Sequence, residues 1–153
     1  MSQWLGFTNQ KLYQARLLLD QADQSSGKAL VDALNESALY QMYDAWVSYL
    51  NELAGMAGYR KPVATLENLL EVTPLVTGEM TELRVLRADS YSWLVGFLSQ
   101  VSAQAQPEPV GQGGVVQSGN LIAVAETSKP DVREWWQALS ELIDSQRQNR
   151  QES

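Results

Sequence analysis

The sequence predicts an all-α protein: an up-and-down bundle of four main helices, with a short extra helix and an extended apolar segment near 121–125. Three observations lead there. The stretch Lys28–Gly58 contains no proline, and no glycine before Gly55, and its apolar residues recur at helical spacing. Three further stretches repeat that spacing. Between them stand Gly, Pro and Ser clusters, not the alternating apolar and polar runs of a sheet.

The first helix is expected from about Ser2 to Gln24. Leu5, Thr8, Leu12, Ala15, Leu19 and Ala22 follow the three-four spacing of a buried stripe. Leu17 and Leu18 widen it. Asp20 and Asp23 sit at the end of this helix, where the dipole disfavours negative charge. Ser25-Ser26-Gly27 is a turn, short enough to make the first two helices antiparallel neighbours.

The central helix follows, Lys28 to Gly58, roughly 45 Å long at ~1.5 Å per residue. Leu39, Met42, Trp46, Leu50, Leu53 and Ala57 share one stripe, flanked by Ala38, Ala45, Tyr49 and Met56 on one side and Tyr43 on the other. Ser37, Gln41, Asp44, Ser48 and Asn51 form the expected solvent face. So broad an apolar sector touches two or three neighbours. Asn35 projects along the same stripe. A buried Asn needs partners, so it reads as a polar pin that fixes register or as a polar group lining a ligand pocket.

Pro62 pushes Lys61 out of helical geometry. A short helix is expected over Thr65–Val72 with Thr65 as its N-cap. Thr77-Gly78 then introduces one long helix from Glu79 to Gln104. Its stripe is Leu83, Leu86, Ser90, Trp93, Leu94, Phe97 and Val101, with Gly96 small enough to admit a partner. Residues 105–119 carry proline and glycine and read as a flexible loop. Leu121–Ala125 (LIAVA) is a lone apolar run. It lies extended across the bundle or pairs as a short strand with Val115-Val116. The last helix begins near Pro130, with Ser128 and Asp131 as a capping arrangement. Its apolar face is Val132, Trp135, Trp136, Leu139, Leu142 and Ile143. From about Ser145 the tail is polar and is expected to fray. No repeat and no second core divides the 153 residues, so one domain is expected.

Composition excludes several chemistries. There is no cysteine and no histidine, which removes thiol catalysis, disulfides, imidazole bases and the common zinc sites from this chain. The net charge of −7 disfavours nucleic-acid phosphate and anionic lipid as partners. No apolar run is long enough to span a membrane. The opening MSQWLGFTNQK lacks the pattern of a secretory signal, so a cytoplasmic location is expected.

The motifs weaken on inspection. Gly27-Lys28 lacks the upstream glycine, the following Ser or Thr and the preceding strand of a phosphate-binding loop. Gly111-x-Gly113-Gly114 lacks the strand-turn-helix setting of a dinucleotide fingerprint. Glu36 and Glu52 lie about 160° apart around the central helix and read as solvated surface charges. A helical di-metal site would need Glu-x-x-His pairs, and no histidine exists. Arg84 and Arg87 could bind an anion together, although such pairs more often make surface ion pairs. Trp135 and Trp136 point about 100° apart, so one of them can reach a partner protein.

Two stretches carry a resemblance. Thr8–Leu19 (TNQKLYQARLLL) and Glu36–Tyr43 (ESALYQMY), with the run near Leu121–Val124, resemble a family of small, uncharacterised helical proteins from gammaproteobacteria. The resemblance implies a bacterial cytoplasmic protein and assigns no activity. The layout also resembles, more weakly, the HEPN class of helical bundles. Ribonuclease members of that class use an Arg followed by a His, and this chain has no His. The functional expectation is a non-enzymatic interaction or scaffold module without cofactor or metal, binding a protein partner or a second copy. The alternative is a small-ligand-binding bundle with a pocket between the helices at 28–58 and 79–104.

Overall fold

The structure is a computed structural model that describes residues 3–107 and 131–152. Among these residues there are six helices and no strand, so the protein is all-α. They are α1 (Gln3–Gln24), α2 (Lys28–Met56), α3 (Leu66–Val72), α4 (Gly78–Ala88), α5 (Trp93–Gln104) and α6 (Val132–Glu152). The expected extended segment at 121–125, and the expected loop from 108 onward, lie outside the described residues.

Helix α2 is the axis and packs against α1, α3, α5 and α6. Its predicted stripe holds: Leu39, Met42, Ala45, Trp46, Tyr49, Leu50 and Leu53 are buried. Met56 departs from it and is exposed. Cross-links set α1 and α2 antiparallel. Lys11 reaches Asp44 at 3.5 Å and Thr8 reaches Ser48 at 2.7 Å, so rising numbers on one helix meet falling numbers on the other. Gly27 takes φ 98° at the turn between them, a conformation that glycine adopts without strain.

The long helix expected over Glu79–Gln104 is broken into α4 and α5. The chemistry of residues 89–92 explains the break. Ser92 caps α5 by accepting from the Val95 N–H at 3.3 Å, and its hydroxyl donates to the Leu86 carbonyl at 2.6 Å. Asp89 Oδ1 accepts from the Tyr91 N–H at 3.0 Å. Short polar side chains that bond the local backbone favour caps over helix interiors. Ser90, expected in the stripe, is exposed. The helix that α2 meets is accordingly α5.

Other ends form largely as their residues dictate. Thr65 accepts from the Asn68 N–H at 3.0 Å and Thr77 from the Met80 N–H at 3.2 Å. Helix α6 is capped by Asp131, whose Oδ1 accepts from the Glu134 N–H at 3.1 Å. Asp20 and Asp23, unfavourable for their own helix, are paired with Arg133 of α6 at 2.9 and 2.8 Å.

The largest correction concerns the tail. Helix α6 continues unbroken past Ser145 to Glu152. Gln146 is buried, and Arg147 and Arg150 are partly buried. The polar tail is held because it supplies partners for polar groups inside the bundle.

Candidate functional site

Two regions have the chemistry to be considered: a polar seam around the C-terminal halves of α2 and α6, and a groove between α2, α3 and α5.

The seam consists of two networks. In the first, Glu52 is 3% exposed and takes the Arg147 guanidinium at 2.8 Å. Thr8 Oγ1 lies 2.6 Å from the same carboxylate and 2.7 Å from Ser48 Oγ. Thr8 donates to the Glu52 carboxylate, and the single Ser48 hydroxyl proton serves either Thr8 Oγ1 or the Trp4 carbonyl, which lies 2.9 Å away. Arg147 also donates to Asn9 Oδ1 at 2.7 Å. In the second network the Tyr49 hydroxyl donates to Gln146 Oε1. Gln146 Nε2 donates to Glu82 Oε1 at 2.7 Å and to the Glu79 carbonyl at 3.2 Å. Arg150 donates to Tyr49 Oη and to Glu79 Oε2, both at 3.1 Å. Burial pushes the Tyr49 phenol up to about 12, with the Arg150 cation opposing it. This tyrosine stays protonated and is closed off from solvent, which suits a structural donor and not a base.

The sequence reading placed Ser48 and Asn51 on the solvent face and took Glu52 as a surface charge. All three are buried. The signals were present: Thr8 is a hydroxyl within an apolar stripe, and Ser48, Asn51 and Glu52 recur at three-four spacing. Gln146, Arg147 and Arg150 share one side of α6 in the same way.

The groove has a volume of about 400 Å³. Helix α2 contributes Tyr40, Tyr43 and Trp46 to it, α3 contributes Leu66, and α5 contributes Leu98 and Val101. Trp46 and Val101 are buried and form its floor, and Tyr40 is exposed at its rim. Polar groups border it: Thr65, Glu67, Arg87 and Ser102. Arg87 Nε meets Glu67 Oε1 at 3.5 Å, with both side chains well exposed. Such a pair is worth ~0–1 kcal/mol and yields readily to another charge. The groove therefore offers aromatic and aliphatic walls with one exchangeable cation.

The residues singled out from sequence fall as follows. Asn35 is half-buried and precedes the groove-lining part of α2. Among the described residues the buried asparagine is Asn51 instead. It donates to the Val47 and Val63 carbonyls at 2.8 and 3.0 Å and accepts from the Val63 N–H at 2.8 Å. Arg84 and Arg87 are both exposed on α4; Arg87 lines the groove and pairs with Glu67 at 3.5 Å. Trp135 and Trp136 both find partners within the fold. Trp135 stands 6.5 Å from Phe97 between ring centres. Its ring edge lies 3.3 Å from where a Cβ on Gly96 would be. Gly96 thus admits a neighbouring helix of the same chain. Trp136 Nε1 donates to the Leu12 carbonyl at 2.9 Å. Adjacent tryptophans 100° apart are both half-buried because α6 packs against α1 and α5.

Among the described residues, no group of three or more His, Cys, Asp or Glu could hold a metal ion. No helix among them is long and apolar enough to cross a membrane.

The chain belongs to a family of unknown function, DUF6586, whose sequence model matches residues 1–153. No curated protein and no solved structure matches it.

Proposed function

We propose that the protein is a non-catalytic binding protein whose groove between α2, α3 and α5 takes a small apolar ligand bearing a ring. The observation that carries this reading is the contrast in lining. Tyr40, Tyr43, Trp46 and Leu98 face an open hollow of about 400 Å³, within the size that small-molecule sites occupy. The polar groups of the seam are turned toward one another. A ligand with an anionic substituent would exchange with Glu67 for Arg87. A role without catalysis draws support from the missing His and Cys and from the sealed position of Tyr49. Nucleic acid and membrane are not partners under this reading, and the net charge of −7 supports that. A bacterial cytoplasm is its expected setting, and a HEPN-like layout its expected architectural similarity. Both rest on the resemblances of sequence and layout given above.

The test is native mass spectrometry of the protein purified from its host, paired with titration of the fluorescent apolar anion 1-anilinonaphthalene-8-sulfonate. A retained small mass, and saturable probe binding that Tyr40→Ala and Leu98→Gln weaken by about tenfold, are expected. Probe binding indifferent to both substitutions, with no retained mass, overturns the reading.

A second reading is the interaction module expected from the sequence. One observation favours it: Tyr13 and Leu17 lie one turn apart on α1 and are 53% and 47% exposed. Light scattering after size exclusion tests self-association through this face. A strict monomer whose mass is unchanged by Leu17→Glu removes that basis.

A further inference from the structure

A second hollow, of about 570 Å³, lies where the first turn of α1 meets the link after α2. Trp4, Met56, Tyr59, Arg60 and Lys61 line it, and among the described residues no carboxylate does. That is unusual on a chain with 18 acidic and 11 basic residues. Most cations here are engaged: Lys11, Lys28, Arg87, Arg133, Arg147 and Arg150 all have carboxylate partners. Arg60 and Lys61 are exposed, and among the described residues neither forms an ion pair.

The link that carries the two cations is fixed at both ends. The Tyr59 N–H donates to the Ala54 carbonyl at 2.9 Å, and Gly58 takes φ 88° to allow it. Two residues beyond Lys61, the buried Asn51 grips both backbone groups of Val63. A held backbone reduces the ordering cost of binding at Arg60 and Lys61. Arg supplies a planar fork for oxyanions and Lys a point charge, and together they match a dianion. Trp4 and Tyr59 add rings on which a planar group can stack.

We infer that this hollow is an anion site for a small molecule that joins a phosphate monoester to a planar ring, with Arg60 and Lys61 on the phosphate and Trp4 and Tyr59 on the ring. It is separate from the groove, so its fate does not depend on the reading above.

The experiment titrates the isotope-labelled full chain with adenosine 5′-monophosphate, adenosine and inorganic phosphate, followed by backbone and indole NMR signals. The monophosphate should saturate below about 10 mM. Its shifts should centre on Trp4, Tyr59, Arg60 and Lys61, and the two fragments should bind more weakly. Arg60→Ala with Lys61→Ala should weaken it by at least about tenfold, while Arg84→Ala, which removes another exposed cation, should not. Gly55→Leu tests shape without changing charge. Gly55 lines the hollow and a Cβ there meets nothing within 4 Å, so a side chain at this position takes up space in it. It should also weaken binding. Shifts that do not saturate, that centre elsewhere, or that Arg84→Ala reduces as much as the double variant, overturn the assignment.

Discussion

The polar seam and the groove lie at different levels of the same helix, and they treat their functional groups in opposite ways. The seam takes groups that could do chemistry, three glutamates, a tyrosine and two arginines, and pairs them with one another and with Gln146. The groove takes aromatic and aliphatic groups that pack well and leaves part of their surface open. Reactive residue types are therefore poor guides to a site in this protein. What matters is whether a side chain still has an unfilled neighbour. A satisfied buried network fixes which helices meet and in what register, and an incompletely filled apolar surface is available to something else.

Substitutions can separate the two regions. Trp46→Ala should have the largest effect. The side chain is 2% exposed beneath the groove, and its loss should cost ~3–5 kcal/mol, read as a lowered midpoint in chemical denaturation. A midpoint near that of the wild type would mean that this floor is not core. Arg147→Ala comes next. It strands the Glu52 carboxylate in the interior, at a cost of about 3 kcal/mol, the lower end for a buried pair because the Arg147 side chain is 15% exposed. Probe binding in the groove should not change with it, so a loss of binding in still-folded protein would break the distinction between the regions.

Tyr49→Phe should cost ~1–3 kcal/mol at neutral pH, because Gln146 and Arg150 each lose a partner. Its pH dependence is more specific. The Tyr49 phenol is raised from 10.0 to about 12 by burial, so the folded state holds its proton more tightly than the unfolded chain does. That contribution is fully present below pH 10 and is lost as pH rises through the folded value near 12. Denaturation midpoints measured from pH 9 to 12 should fall more steeply in the wild type than in Tyr49→Phe. Parallel curves would show that Tyr49 does not titrate late. Tyr40→Ala should be the smallest in stability, within ~0.5 kcal/mol, since its side chain is 45% exposed at the groove rim. A near-neutral melt combined with weakened probe binding would sharpen the comparison most.

The sequence made some parts of this legible and concealed others for definite reasons. The α2 stripe was readable because apolar spacing reports directly on which side of a helix faces a core. The cap at Thr65 was readable because a cap is local chemistry within three residues. The break at 89–92 obeys the same local rules, but it was hidden by an apolar pattern that runs through it from Leu83 to Val101 without losing phase. Glu52, Ser48 and Gln146 were misread for another reason. A polar residue scores as solvent-facing until a partner from a distant segment is known, and Arg147 and Tyr49 stand 95 and 97 positions away from Glu52 and Gln146. The lining of the groove was not readable, because it depends on how α2, α3 and α5 meet.

Taken alone, the amino-acid order determined the helical class, the length and core face of α2, the antiparallel turn at Ser25–Gly27 and the chemistries closed to a chain without His or Cys. Those properties depend on period, caps and composition, which act over a few residues or over none. Tertiary structure decided which polar groups are buried, why the tail past Ser145 is helical, what the two half-buried tryptophans of α6 pack against, and which apolar surface stays open. These depend on what a distant helix brings alongside, and burial stabilises or destabilises a polar group according to that partner.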